Sequence, residues 1–175
     1  SDVYKRQILH SSGTKGKDAL SNHLNFGVFY PLQTFSFNKK IDFTKTPILI
    51  EGNSQKSLEK LKELCRILEV EFEEVDSKKR LHYHLAASFA NNFTNHILSL
   101  TDELVNKFKL EKKFFIPIAN ETFKKFQSNK SKESQTGPAV RNDVKTLKRH
   151  EEILKKSNYL NLYKIITKSI KKNDL

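Results

Sequence analysis

The chain has 175 residues, 37% of them hydrophobic and 30% charged, with a formal net charge of +12, a single cysteine and no methionine. That length is enough to bury a core and holds one domain or one and a half. It contains no run of about 18 apolar residues that would cross a membrane, and Ser1-Asp2-Val3-Tyr4-Lys5-Arg6-Gln7 lacks the apolar centre of a signal peptide, so a cytoplasmic protein with no membrane partner is expected.

A chain without methionine, even at position 1, reads as a C-terminal fragment, and residues 1–7 read as a non-native leader. Cys65 has no cysteine to pair with and no metal-ligand spacing around it; among Leu61, Leu64 and Leu68 it reads as a buried structural thiol, and no metal is expected. The positive charge is mostly lysine, spread over helix surfaces and dense in Lys164–Lys172, without an arginine stripe or aromatic stacking motif. This is a solvated surface, and no nucleic-acid partner is expected. A nucleic-acid binder would instead show a steep salt dependence of binding.

Ile8-Leu9 followed by His10-Ser11-Ser12-Gly13 reads as a buried strand running into a polar turn. Open α/β sheets bind ligands at the carboxyl ends of strands, so Ser11, Ser12 and Gly13 stand where a cofactor would, although an ordinary turn has the same composition. Lys15–Asn25 reads as a loop. Phe26–Tyr30 is a strand stopped by Pro31, which removes a ladder donor, and Gln33 and Thr34 in Leu32–Ser36 follow as donors or as parts of a structural turn. Pro47–Glu51 is a buried strand ended by Gly52. Asn53 or Ser54 caps the amphipathic helix Lys56–Glu69, and Val70–Val75 is a further strand. The order β-β-β-α-β is that of an α/β sheet; beyond residue 77 no strand is expected.

Leu81–Leu110 predicts a long helix with two faces. Leu81, Leu85, Phe89, Phe93, Ile97, Leu100 and Leu104 form an apolar stripe expected to meet a core, and His84, Ser88, Asn91 and Asn95, with Asn92 beside them, form a neutral polar stripe expected to line a cleft. His84 is the candidate proton-transfer group, since imidazole titrates near neutrality and the amides around it would orient a carbonyl; a structural histidine is the other reading. His82 and His96 fall on other faces. Asn91, Asn92 and Asn95 weaken a helix and so imply a compensating contact.

Lys112–Gln127 is a second helix, either kinked by Pro117 or starting there, with Glu121 as a candidate carboxylate. Ser128–Ser134 is a linker. Gln135-Thr136-Gly137-Pro138-Ala139-Val140-Arg141-Asn142-Asp143 predicts a helix Pro138–Lys156 capped by Thr136 or Gly137. Its free N–H groups beside Arg141 suit a carboxylate or phosphate, unless an Arg141–Asp143 pair only holds the helix in place. Tyr159–Lys172 is a last helix, after which the chain frays.

The blocks His10–Gly13, Phe29–Phe35 and Ile50–Gly52, with Arg80, His82, Ala86-Ala87, Phe89-Ala90-Asn91-Asn92-Phe93-Thr94-Asn95-His96 and Gln135–Asp143, resemble a family of Rossmann-like proteins with a C-terminal domain of unknown function. That family is similar to deazaflavin-dependent NADP oxidoreductases and pyrroline-carboxylate reductases. The resemblance, over about residues 8–172, implies the C-terminal portion of a Rossmann-like domain at 8–76 and, at 77–175, a helical domain like that of 6-phosphogluconate dehydrogenase. It also implies an NADP or NAD cofactor, a homodimer through the helical domain, and chemistry on a small anionic carbonyl or imine in a cleft between domains.

On this reading Ser11, Ser12, Gly13 and Gln33 face the cofactor, and His84, Asn91, Asn92 and Asn95 polarise the substrate. Gln135, Thr136, Gly137 and Arg141 hold its anion. The five glycines nowhere form a dinucleotide-binding turn, so weak NADP affinity is expected of these 175 residues alone. The alternative is a non-catalytic module that senses a nucleotide or small anion and dimerises.

Overall fold

In the computed structural model, residues 6–35, 40–128 and 131–172 are described. Most of the expected leader, Ser36, two residues of the expected linker and the last three residues lie outside them. The chain forms two compact units, Ser1–Lys107 and Phe108–Leu175.

The first unit is built on four strands, β1 (Ile8–His10), β2 (Phe26–Pro31), β3 (Ile48–Gly52) and β4 (Phe72–Glu74), in spatial order β1-β2-β3-β4. β1 runs parallel to β2 and β3 parallel to β4, but β2 and β3 are antiparallel, with Val28 opposite Glu51 and Tyr30 opposite Leu49. The β2–β3 connection has no crossover helix among its described residues, only a 3-10 turn at Phe43–Lys45. A parallel return would need such a crossover. Between β1 and β2, where a loop was expected, Lys17–Leu20 forms another 3-10 turn.

Helix α1 (Gln55–Ile67) packs on the sheet because Leu58, Leu61 and Cys65 fall on one face at helical spacing. They form the core with Ile48, Ile50 and Val70, and Phe29 and Phe43 pack against it. Of the two expected caps, Ser54 serves: its Oγ accepts the Ser57 N–H at 3.2 Å, while Ser57 Oγ donates to Asn53 Oδ1 at 2.8 Å. Ser54→Ala should cost about 1 kcal/mol, read as a lower denaturation midpoint. Cys65 is fully buried, as its leucine neighbours implied, and burial pushes its thiol pKa up.

The long helix is continuous but not uniform. It comprises α2 (Ser77–Ala87), a π-helical segment Ser88–Phe93 and α3 (Thr94–Lys107). A π turn takes in one residue more than an α turn, so the polar stripe does not continue at constant azimuth from His84 to Asn95. The expected apolar stripe does not meet a core: Leu85 is 57% exposed and Phe89 63%. The face of α2 turned inward carries Arg80, which is fully buried, and the half-buried His84. The reason is electrostatic, since Arg80 pairs with Glu51 at the end of β3.

The second unit holds α4 (Ile116–Gln127), α5 (Val144–Leu154) and α6 (Leu160–Lys172). Pro117 lies in the first turn of α4, where a missing N–H does no harm. The helix expected from Pro138 starts only at Val144. Asn142 adopts a left-handed backbone (φ 50°), which interrupts the turn begun at Pro138. Asp143 then caps α5, accepting from Thr146 N–H at 3.0 Å and Thr146 Oγ1 at 2.7 Å. These bonds, the backbone one foremost, lower the Asp143 pKa. Val140 and Val144 are exposed, whereas Ala139, Leu147 and Leu154 are buried. His150 Nδ1 and Tyr163 Oη, 2.8 Å apart, tie α5 to α6.

Candidate functional site

The turn after β1 is held from all sides. His10 Nε2 lies 3.1 Å from the Gly16 carbonyl, to which it can only donate, so its Nδ1 is the acceptor for the Ser12 N–H at 3.2 Å. Ser12 Oγ accepts from the Lys15 N–H at 3.0 Å. The Lys15 carbonyl accepts from Arg80 Nη2 at 2.7 Å, and the Lys17 N–H donates to Ser77 Oγ at 3.3 Å. Sequence and first-turn chemistry of α2 thereby fix the position of a surface turn.

Beneath it lies a buried ionic cluster. Glu51, 6% exposed, accepts from Lys17 Nζ at 3.0 Å, from Ser77 Oγ at 2.8 Å and from Arg80 Nη1. Burial alone would raise the Glu51 pKa, but the bonds from Arg80, Lys17 and Ser77 outweigh it and hold the carboxyl below its ordinary value. Arg80 Nε, also buried, has no partner among the described residues.

At the top of the turn Gly13 is buried against α2. A Cβ there would stand 2.8 Å from His84 Nδ1 and 3.0 Å from Tyr30 Cζ, so only glycine lets the turn close on this pair. Tyr30, one residue before the end of β2, places its Oη 3.2 Å from His84 Nδ1, with the rings edge to face. Burial raises the Tyr30 pKa. Ser88 Oγ donates to the backbone carbonyl of His84 at 3.1 Å, a bond along the helix.

Of the residues expected to act, Gly13 and His84 are therefore in contact, with Ser12 in the same turn and Ser11 exposed at its start. Gln33 is exposed beyond β2, its Oε1 accepting from the Thr34 N–H at 2.9 Å. Asn91 and Asn92 lie in the π segment, bonded to each other at 3.2 Å, and with Asn95 they are exposed. In the second unit Gln135, Thr136 and Arg141 are exposed and Gly137 has φ 112°. With α5 starting at Val144, they precede the helix, and the expected anion-binding helix start at Pro138 is not formed. Glu121 is exposed on α4.

Tyr30, Glu51, Ser77 and Arg80 were not expected in these roles. Glu51 could have been noticed as a carboxylate ending the otherwise apolar run Ile48-Leu49-Ile50. Among the described residues no group of three or more acidic, histidine or cysteine side chains suits a metal, and no helix is long and apolar enough to cross a membrane.

No curated protein matches the chain. Among solved structures it is similar to a Bacteroides fragilis protein provisionally named an NADP oxidoreductase, at 33% identity and a TM-score of 0.90, over 97% of this chain and 66% of that one. The chain thus spans just under two thirds of that relative's length. A Thermotoga maritima protein, whose name states no activity, matches at 21% identity and a TM-score of 0.72, over 94% of this chain and 67% of its own. That second likeness shows the fold alone. A family model described as a domain of unknown function, DUF2520, matches residues 46–170. The chain, with its α/β, Rossmann-like arrangement of strands and helices, belongs to the DUF2520 family.

Proposed function

We propose that the chain is part of an NAD(P)-dependent oxidoreductase that acts on a small anionic carbonyl or imine. The observation that carries this reading is the meeting of the strand-end turn, through Gly13, with the imidazole of His84. In open α/β proteins ligands bind at such strand ends. The name of the Bacteroides fragilis relative is in keeping with a nicotinamide cofactor.

A nicotinamide nucleotide, when bound, would supply or accept the hydride. The residues present fit its nicotinamide end: Ser11 and Ser12 offer hydroxyl and backbone groups at the end of β1, and Gln33 offers an amide past β2. They do not fit its phosphates, since no Gly-x-Gly-x-x-Gly occurs in the 175 residues. His84 polarises the carbonyl oxygen or imine nitrogen. A homodimer through the helices after residue 77 is part of the same reading, and the exposed Leu85, Phe89 and Phe93 give that contact apolar surface.

The test uses the chain joined to a dinucleotide-binding segment, assayed for NADPH and NADH oxidation against a panel of keto acids and imines. Turnover is expected, and His84→Gln should lower it by about 100- to 10,000-fold. Tight nucleotide binding without turnover would favour the sensing module instead.

A further inference from the structure

Tyr30 and His84 share one hydrogen bond, and its direction decides what the imidazole shows to its surroundings. Tyr30 Oη and His84 Nδ1 are each other's hydrogen-bond partners, and among the described residues neither Oη nor His84 Nε2 has another. Gly13 closes the Nδ1 and Cγ edge of the ring, leaving less than a methyl group's width there. A ligand can therefore reach only the Nε2 edge.

We propose that Tyr30 is a positioning residue: its phenol donates to His84 Nδ1, fixing the ring as the Nε2–H tautomer, so that His84 presents a hydrogen-bond donor to its ligand. The opposite tautomer would put a proton on Nδ1, use the phenol oxygen as acceptor and leave a half-buried phenol proton without a protein acceptor. Burial favours the protonated phenol, which is the form that can donate. Ser88 Oγ donates to the backbone carbonyl of His84 at 3.1 Å and does not compete for either ring nitrogen.

The inference rests on the oxidoreductase reading for its consequence and sharpens the substrate class. A neutral Nε2–H donor suits a group with a lone pair to offer, a carbonyl oxygen or a neutral imine nitrogen. In this role the ring polarises the acceptor atom through its hydrogen bond and keeps its own proton, and the same donor serves hydride transfer in either direction.

The tautomer can be read without nucleotide or substrate, by long-range proton–nitrogen correlation of the imidazoles in the 15N-labelled chain above the titration range of its histidines, with His84→Gln assigning the signals. A single tautomer protonated on Nε2 is expected for His84, and in Tyr30→Phe an averaged pair of nitrogens is expected while the other five histidines stay unmoved. A wild-type ring that is protonated on Nδ1, or already averaged, would overturn the inference, as would His84 nitrogens unchanged in a folded Tyr30→Phe. The wild-type spectrum decides the first point even if that variant fails to fold. If His84 is Nε2–H but no nucleotide-dependent turnover is found, the oxidoreductase reading fails and the tautomer stands.

Discussion

Replacing Glu51 by Ala should remove about 3–5 kcal/mol of folding stability, because it leaves a buried guanidinium without its counter-charge. Arg80 is wholly inaccessible, and its Nε already lacks a partner. Lys17, about a third exposed, can turn to water once the carboxylate is gone, but Arg80 cannot. The loss should appear as a lower denaturant midpoint at pH 7 with an unchanged slope.

Its pH dependence has a definite sign. The Glu51 pKa is depressed in the folded chain, so the contribution is complete above the ordinary carboxyl value of 4.5 and is lost as pH falls through the lower folded value. The gap between wild type and Glu51→Ala should therefore narrow below about pH 4.5. A gap that stays constant down to acid unfolding would show that the cluster is not held by charge. Replacing both partners, as in Glu51→Leu with Arg80→Met, should restore most of the loss, since two apolar side chains carry no desolvation cost.

Gly27→Ala is the second large effect, expected at about 3 kcal/mol, the upper end for overpacking. The added Cβ would stand 2.4 Å from the Glu51 carbonyl oxygen and 3.2 Å from Leu61 Cδ1. Leu61 can give way, but the Glu51 oxygen is backbone within the antiparallel β2–β3 pairing. Relief requires the two strands to separate where the ionic cluster begins. A thermal midpoint equal to wild type would show that the strands do not approach so closely.

β2, β3 and α1 were legible because local signals agreed, whereas β1, expected as a buried strand, lies at the edge of the sheet with Ile8 and Leu9 exposed. Ile48-Leu49-Ile50 is a short apolar run with a glycine stop, and Ser54 precedes a clear helical period with Cys65 on its inner face. The orientation of α2 was not legible. Its leucine stripe argued for one face, whereas the side chain turned inward is Arg80, paired with Glu51 29 residues away, and Leu81 and Leu85 are left exposed. The start of α5 was misplaced for a related reason. Pro138 suits a first turn, but the left-handed Asn142 followed by the Asp143 cap sets the boundary, and backbone conformation of that kind leaves little trace in composition.

Of the candidate site, the turn and His84 could be read in the sequence as separate features. Their contact through Gly13, and the part of Tyr30 in it, needed the sheet to bring β1 and β2 side by side.

The six residues Ser88–Phe93 work as a spacer with one residue to spare. Deleting one of them, Ala90 for instance, would let an ordinary α-helical ladder run through, and because the wide turn already takes in one residue too many, Thr94–Lys107 would keep its direction and Val105 its packing. The same deletion inside α3 meets no such slack and would swing all that follows it by about 100° around the helix axis, the angle of one residue. A one-residue shortening is thus absorbed at this point and disruptive a turn later.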